Sequence, residues 1–310
     1  MFPSFLTTML FAMSAVSGAR ATKVMGGTEA NFWRLVLATS FLSIYAMNWG
    51  SKFAGGGFYI LFISGCIGFG LGDLALFQAY PRIGSRLTMV LVQTLAAPMA
   101  ALTEWLWLGQ AMTPQQMLCS GVILTGVAVA LAPKDHLHIP KNVLIAGVTF
   151  GLIAAYGQGF GAVLSRKAYA DIAEAGGHID GISAAFQRIV GGVLVSGLFV
   201  LVVKRREILA QLPGAKHPED LPKVNPDRWR KGWYWMVLNG LAGPTLGVSC
   251  YQWALLNHST GVVMPIVALT PLAVIPLAYF IEGERPSNRS LIGGVIAVVG
   301  AVALTVVTVK

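Results

Sequence analysis

Five charged residues fall inside or at the edges of long apolar runs: Arg34, Asp73, Arg86, Glu104 and Arg188. An ion near the centre of a bilayer costs about 3 kcal/mol unless it is paired or wetted. Each of these residues therefore needs a partner or a water-filled space. Asp73 lies well within its run, and Arg86 opens the next run across a tight turn. Two readings of Asp73 follow: an ion pair with Arg86 or Arg82, or a protonatable group that couples solute movement to protons. Arg34 and Arg188 each lie one turn inside a run, where a long side chain can reach an interface and anchor the helix. Glu104 and Glu282 lie toward run ends and read as interfacial.

Neutral polar side chains supply directional hydrogen bonds without the cost of burying charge. Ser14, Gln78, Gln93, Tyr156, Gln158, Tyr251 and Gln252 are the candidates for lining a solute cavity, with Gln93 and Gln158 foremost. The same groups can instead bond helix to helix, for about 0.6 kcal/mol each. Catalytic chemistry has no comparable support. The five histidines, 136, 138, 178, 217 and 258, fall in loops or at run ends, and none pairs with Cys, Ser or carboxylate at metal or triad spacing. There is no GxxxxGK[ST] phosphate loop. The sequence thus calls for no metal, no cofactor and no enzymatic activity. Cys66, Cys119 and Cys250 lie in apolar runs and read as small buried hydrophobes.

The elements that must position these residues are membrane helices. Of 310 residues, 55% are hydrophobic and only 11% charged, against roughly 25% charged in a soluble domain. Apolar runs at 4–20, 30–49, 57–80, 85–107, 114–132, 142–168, 181–203, 231–255, 260–281 and 290–309 predict ten transmembrane helices. One connection is long, the polar stretch 204–230 with its four prolines. The net charge of +9 sits at run ends rather than on an aromatic-rich basic face, so it signals topology and not nucleic acid.

The chain repeats itself. Gly65, Gly68, Leu71, Gly72 and Ala79 align with Gly240, Gly243, Leu246, Gly247 and Ala254. Gly109, Thr113, Leu118 and Gly126 align with Gly283, Ser287, Ile292 and Gly300. Phe32-Trp33-Arg34 likewise resembles Phe186-Gln187-Arg188. Each copy holds five runs, 1–132 and 142–310. Five is odd, so the second copy enters the membrane in the opposite sense. The predicted fold is an all-α polytopic membrane protein of ten helices in two inverted five-helix repeats. Lys and Arg concentrate in the loops after odd-numbered runs, which places those loops in the cytoplasm and both termini outside.

Small residues four apart, Gly68 with Gly72 and Gly243 with Gly247, let helix backbones approach, either as static packing or as surfaces that slide. Pro98, Pro244, Pro265, Pro271 and Pro276 each remove a backbone donor and free a carbonyl one turn back. In a bilayer such carbonyls survive only inside protein or beside water.

Order and spacing carry a resemblance. The first copy reads Gly72-Asp73, Phe77-Gln78-Ala79, Ile83-Gly84-Ser85-Arg86, Pro98, Trp105 to Gln110, then Gly126. The second reads Ala268-Leu269-Thr270-Pro271, Ile281-Glu282-Gly283-Glu284-Arg285, Leu291 to Gly294, then Gly300. These resemble the EamA domains of the drug/metabolite transporter superfamily, and Arg34 and Arg188 match an arginine that such domains carry in their second helix. Gln110 in place of a second Glu284, and no tryptophan in the first helix of either copy, depart from that pattern. The resemblance implies a central cavity, alternating access and a small-molecule substrate, with export of amino-acid-like or aromatic compounds across a bacterial inner membrane as the expected activity. It implies cytoplasmic termini, against the charge count, and fixes no oligomeric state. Proton coupling would rest on Asp73, with Arg86 beside it.

Overall fold

The structure, a computed structural model, describes residues 1–53, 56–131, 139–205, 227–282 and 288–309. Among these residues every regular element is a helix. They are α1 (Phe2–Met25), α2 (Gly27–Asn48), α3 (Phe58–Gly65), α4 (Asp73–Leu108), α5 (Pro114–Leu131), α6 (Lys141–Glu174), α7 (Gly181–Val203), α8 (Arg228–Gly240), α9 (Val248–Asn257), α10 (Thr260–Val267), α11 (Thr270–Glu282) and α12 (Asn288–Val309). Two seven-residue π-helical segments join α3 to α4, at Cys66–Gly72, and α8 to α9, at Leu241–Gly247. They occupy matched positions in the two copies.

Six stretches among the described residues are long and apolar enough to cross a bilayer: Phe2–Thr22, Phe58–Leu76, Lys141–Glu174, Gly181–Val203, Thr260–Leu277 and Asn288–Thr308. Pro114–Ala130 is apolar but shorter. The other predicted runs are helical as well, with charge at their ends: α2 holds Glu29 and Arg34, and α8 holds Arg228, Arg230 and Lys231. Gly283, Glu284, Arg285, Ser287 and most of the 204–230 connection lie outside the described residues, as does the side chain of Glu282.

The turn expected near Gly84 is helical backbone, yet the chain does reverse. Gly72 packs on Gly157 and Ile83 on Gly147, whereas Leu91 returns to Gly151 and Ala96 to Gly159. The path from Phe58 through Leu108 thus runs down α6 and back up it, with the reversal between Ile83 and Leu91.

Contacts between the copies are reciprocal. The α3 helix and the first π-segment lie on α6 and α7; α8 and the second π-segment lie on α1 and α2; α2 packs on α7, and α5 on α12. Glycine makes these crossings close, as at Gly126 against Gly293 and Ala297. The largest buried cluster includes Leu61, Ala100, Ala162, Tyr169, Ile172, Leu255, Val263 and Val267, and it fills the end of the molecule where α4, α6 and α9 finish.

Prolines break the last helices, and hydroxyls take over the freed carbonyls. Pro244 has no N–H to offer the Gly240 carbonyl, and Thr245 Oγ1 donates to it at 2.8 Å. Pro265 does the same to Gly261, which accepts from Ser120 Oγ at 3.4 Å. Pro271 frees Val267, which accepts from Thr270 Oγ1 at 2.6 Å. Each break is therefore bearable without water.

A charged cavity between the two copies

One turn into α2, Asn31 and Arg34 share a face at i,i+3 spacing. Arg34 Nε donates to Asn31 Oδ1 at 2.8 Å, and its Nη2 donates to Asp73 Oδ2 at 2.6 Å. Asp73 is the first residue after the π-segment, 39 positions away. Asn31 is buried, and its amide reaches Ser196 Oγ on α7 at 3.4 Å. Among the described residues Asp73 thus pairs with Arg34 and not with the expected Arg82. Arg82 instead donates to the Gln78 carbonyl and side chain and lies over the Phe150 ring. The Arg86 side chain lies outside the described set. Nearness in sequence misled here: Arg82 lies nine residues from Asp73, which puts it about 180° around a regular helix.

Arg188 holds the matching place on α7, a helix started by Asp180, whose carboxylate accepts from the amides of Ile182 and Ser183 at 2.9 Å each. Its surroundings differ. Arg188 is only 3% exposed, and among the described residues it forms no hydrogen bond or ion pair; its Nε is buried with no partner. The guanidinium lies 5.0 Å from the Phe69 ring centroid and 6.0 Å from that of Tyr251. Its Nη2 occupies space that side chains on Gly68 and Gly161 would fill. The residue aligned with Asp73 in this copy is Val248, so the second arginine has no acid of its own. Aromatic faces attract a cation but do not replace a counter-ion.

Both arginines line one cavity of about 680 Å³. Its wall takes Phe11, Ser14 and Thr22 from α1, Phe69 and Asp73 around the first π-segment, and Gln93 and Gln158 from α4 and α6. Asn239, Gly243, Tyr251, Thr270 and Pro271 come from the second copy. Ser14 Oγ donates to Asn239 Oδ1 at 2.6 Å, so one hydrogen bond crosses between copies inside the wall. From Phe11 to Thr22 the wall follows α1 for about 16 Å.

Beyond Phe11 the molecule is solid. Glu104, 1% exposed, accepts from the Thr260 amide at 2.7 Å, the Thr260 hydroxyl at 2.6 Å and Arg166 Nε at 3.0 Å. Arg166 also donates to the Leu255 carbonyl at 2.7 Å. These bonds tie α4, α6, α9 and α10 together, so Glu104 is a buried clamp near the end of α4. At the other end Glu29 accepts from Lys204 Nζ at 2.5 Å and Arg228 Nη1 at 3.0 Å.

Of the residues expected to line a cavity, Ser14, Gln93, Gln158, Tyr251 and Asp73 do so. Gln78, Tyr156 and Gln252 do not. Gln78 is held by Arg82. Tyr156 is 47% exposed and stacks on Phe160 with centroids 5.4 Å apart. Two residues of helix separate it from Gln158, about 200° of rotation, so the two cannot share a face. Gln252 is fully buried and accepts from the Tyr169 hydroxyl at 2.8 Å. Asn31, Phe11, Phe69 and Thr270 were missed. The i,i+3 spacing of Asn31 and Arg34 was the available signal for the first.

A bundle of apolar helices around a charged internal cavity defines an integral membrane protein with a solute-sized chamber. The sequence profile described as the EamA-like transporter family matches residues 2–132 and again 145–306. The chain belongs to the EamA-like transporter family, in the drug/metabolite transporter superfamily, and is a membrane transporter by that membership. No curated protein matches it as a relative. A solved structure titled only as the crystal structure of a protein superposes with a TM-score of 0.69, covering 98% of this chain and 96% of its own, at 15% identity. At that identity the likeness speaks for the fold alone.

Proposed function

We propose that the chain is a secondary exporter of small organic metabolites, of the amino-acid-like or aromatic kind, working by alternating access in a bacterial inner membrane. The observation that carries this reading is the cavity of about 680 Å³, walled by both copies and lined by an arginine from each. Ten spans in two inverted repeats fit the matched π-segments and the reciprocal packing of each copy's third helix on the other copy's first two. Exchange between states is then a rocking of one set of helices against the other along glycine-lined crossings. The charge bias of the loops puts both termini outside. A reporter fused to the C-terminus that reads cytoplasmic would overturn that orientation.

Flux into proteoliposomes tests transport itself: uptake of radiolabelled aromatic solutes above protein-free vesicles is expected, and none across a broad panel sinks the proposal. Asp73 serves in it as the proton-coupling carboxylate. Asp73→Asn should abolish flux driven by a pH gradient while leaving a folded protein, and unchanged gradient-driven flux excludes the role.

A further inference from the structure

We infer that the cavity selects small organic monoanions: a carboxylate docks on Arg188 while an apolar body lies against the aromatic lining of Phe11, Phe69 and Tyr251. The inference rests on the transport reading and names the substrate class of the same site. Three observations carry it. The charged groups among the described lining residues are Arg34, Asp73 and Arg188, two guanidiniums and one carboxylate, which leaves one positive charge over. That excess sits nearest Arg188, because Asp73 bonds Arg34 and acts on Arg188 only through space. Arg188 and Tyr251 both line the cavity, and both keep a buried donor, Nε and the phenol hydroxyl, without a partner.

Buried donors without acceptors are costly, and a buried cation without a counter-ion more so. A ligand that brings an acceptor to the cavity-facing end of the Arg188 guanidinium supplies the missing counter-charge. A carboxylate does so better than an amide or an alcohol, because a guanidinium offers paired donors in the geometry that a carboxylate accepts. A cationic amine meets the opposite balance, since its natural partner Asp73 is already engaged. A zwitterion must break the Arg34–Asp73 bond to satisfy its ammonium. The rings set the second half of the preference. Phe11 and Tyr251 lie 6.2 Å apart between centroids, and Phe69 faces Arg188 from the other copy, so a flat apolar body finds ring faces beside the charge.

The test uses the full chain in nanodiscs of phosphatidylcholine and reads binding calorimetrically. Benzoate should bind, whereas benzamide, benzylamine and sodium chloride at equal concentration should not. Equal binding of benzamide would overturn the inference without any mutation. Arg188→Gln should weaken benzoate roughly ten- to hundredfold, and Arg188→Lys should recover part of that loss. Should the Gln variant fail to fold, Phe69→Ala decides: benzoate should weaken toward the affinity of acetate, and an unchanged ratio of the two overturns the ring contact. A second set of discs containing phosphatidylglycerol separates a lipid headgroup from a free solute. Benzoate bound in phosphatidylcholine supports the solute; an anion site that only the anionic lipid occupies overturns it. The two readings fail separately. Benzoate bound by a protein that moves no solute ends the transport reading, and flux of a neutral solute by a protein blind to benzoate ends the anion inference.

Discussion

The two copies make the same crossing with different tightness. A methyl placed on Gly65 would sit 1.6 Å from the Arg188 carbonyl oxygen, whereas one on the matching Gly240 would sit 3.3 Å from the Arg34 carbonyl oxygen. The backbone carbonyl in question belongs in each case to the arginine of the opposite copy. On the tight side the arginine has aromatic neighbours and no acid; on the looser side it has Asp73 and Asn31. Duplication preserved the scaffold and let the chemistry diverge, so that one arginine is ion-paired and the other forms no ion pair among the described residues.

Four substitutions probe that contrast. Gly65→Ala forces backbone against backbone and should cost about 3 kcal/mol or more, seen as a lost melting transition or as aggregated protein on gel filtration. A variant that melts like the parent would show the crossing to be slack. Val248→Asp gives the second arginine the acid that the first one has. Benzoate binding should fall roughly a hundredfold, and undiminished affinity would mean that the new carboxylate does not reach Arg188. Asp73→Asn removes the pair from the first copy. The Asp73 and Arg34 side chains are 20% and 17% exposed toward the cavity, so the loss should be about 1–2 kcal/mol, between the surface and buried limits. Benzoate should bind severalfold tighter, because a second cation is released into the chamber. Gly240→Ala should change thermal stability by less than about 1 kcal/mol, with helix propensity favouring the alanine; a collapse comparable to that of Gly65→Ala would erase the asymmetry.

Much of the scaffold was legible in the residues. The glycine pattern at 65, 68 and 72 recurred at 240, 243 and 247, and both sets mark the close crossings around the π-segments. Composition announced the membrane, and proline positions announced the broken helices α10 and α11. What failed was partner choice. Asp73 was matched to Arg82 near it in the chain, and a partner came instead from α2, because a helix that reverses along α6 brings distant elements together. Arg34 and Arg188 read as interfacial anchors, although both line the cavity. The two arginines at matched positions, with an acid in one copy and valine in the other, were the clue that pairing would be unequal. Tyr156 and Gln252 were chosen for their type alone, when their angular positions relative to Gln158 and Tyr251 already set them on other faces.

The π-segments end at Gly72 and Gly247, immediately before Asp73 and Val248. Such a stretch holds an extra residue in its turn. Tightening it to regular α-geometry, or passing the surplus along by one position, would swing everything downstream about 100° around the axis. Asp73 and Val248 therefore stand at the exit of two built-in swivels. A single-residue slip in the first would turn the carboxylate away from Arg34 while the helix advances only about 1.5 Å along its axis, so the charge pattern of the chamber is open to local change, more by rotation than by travel.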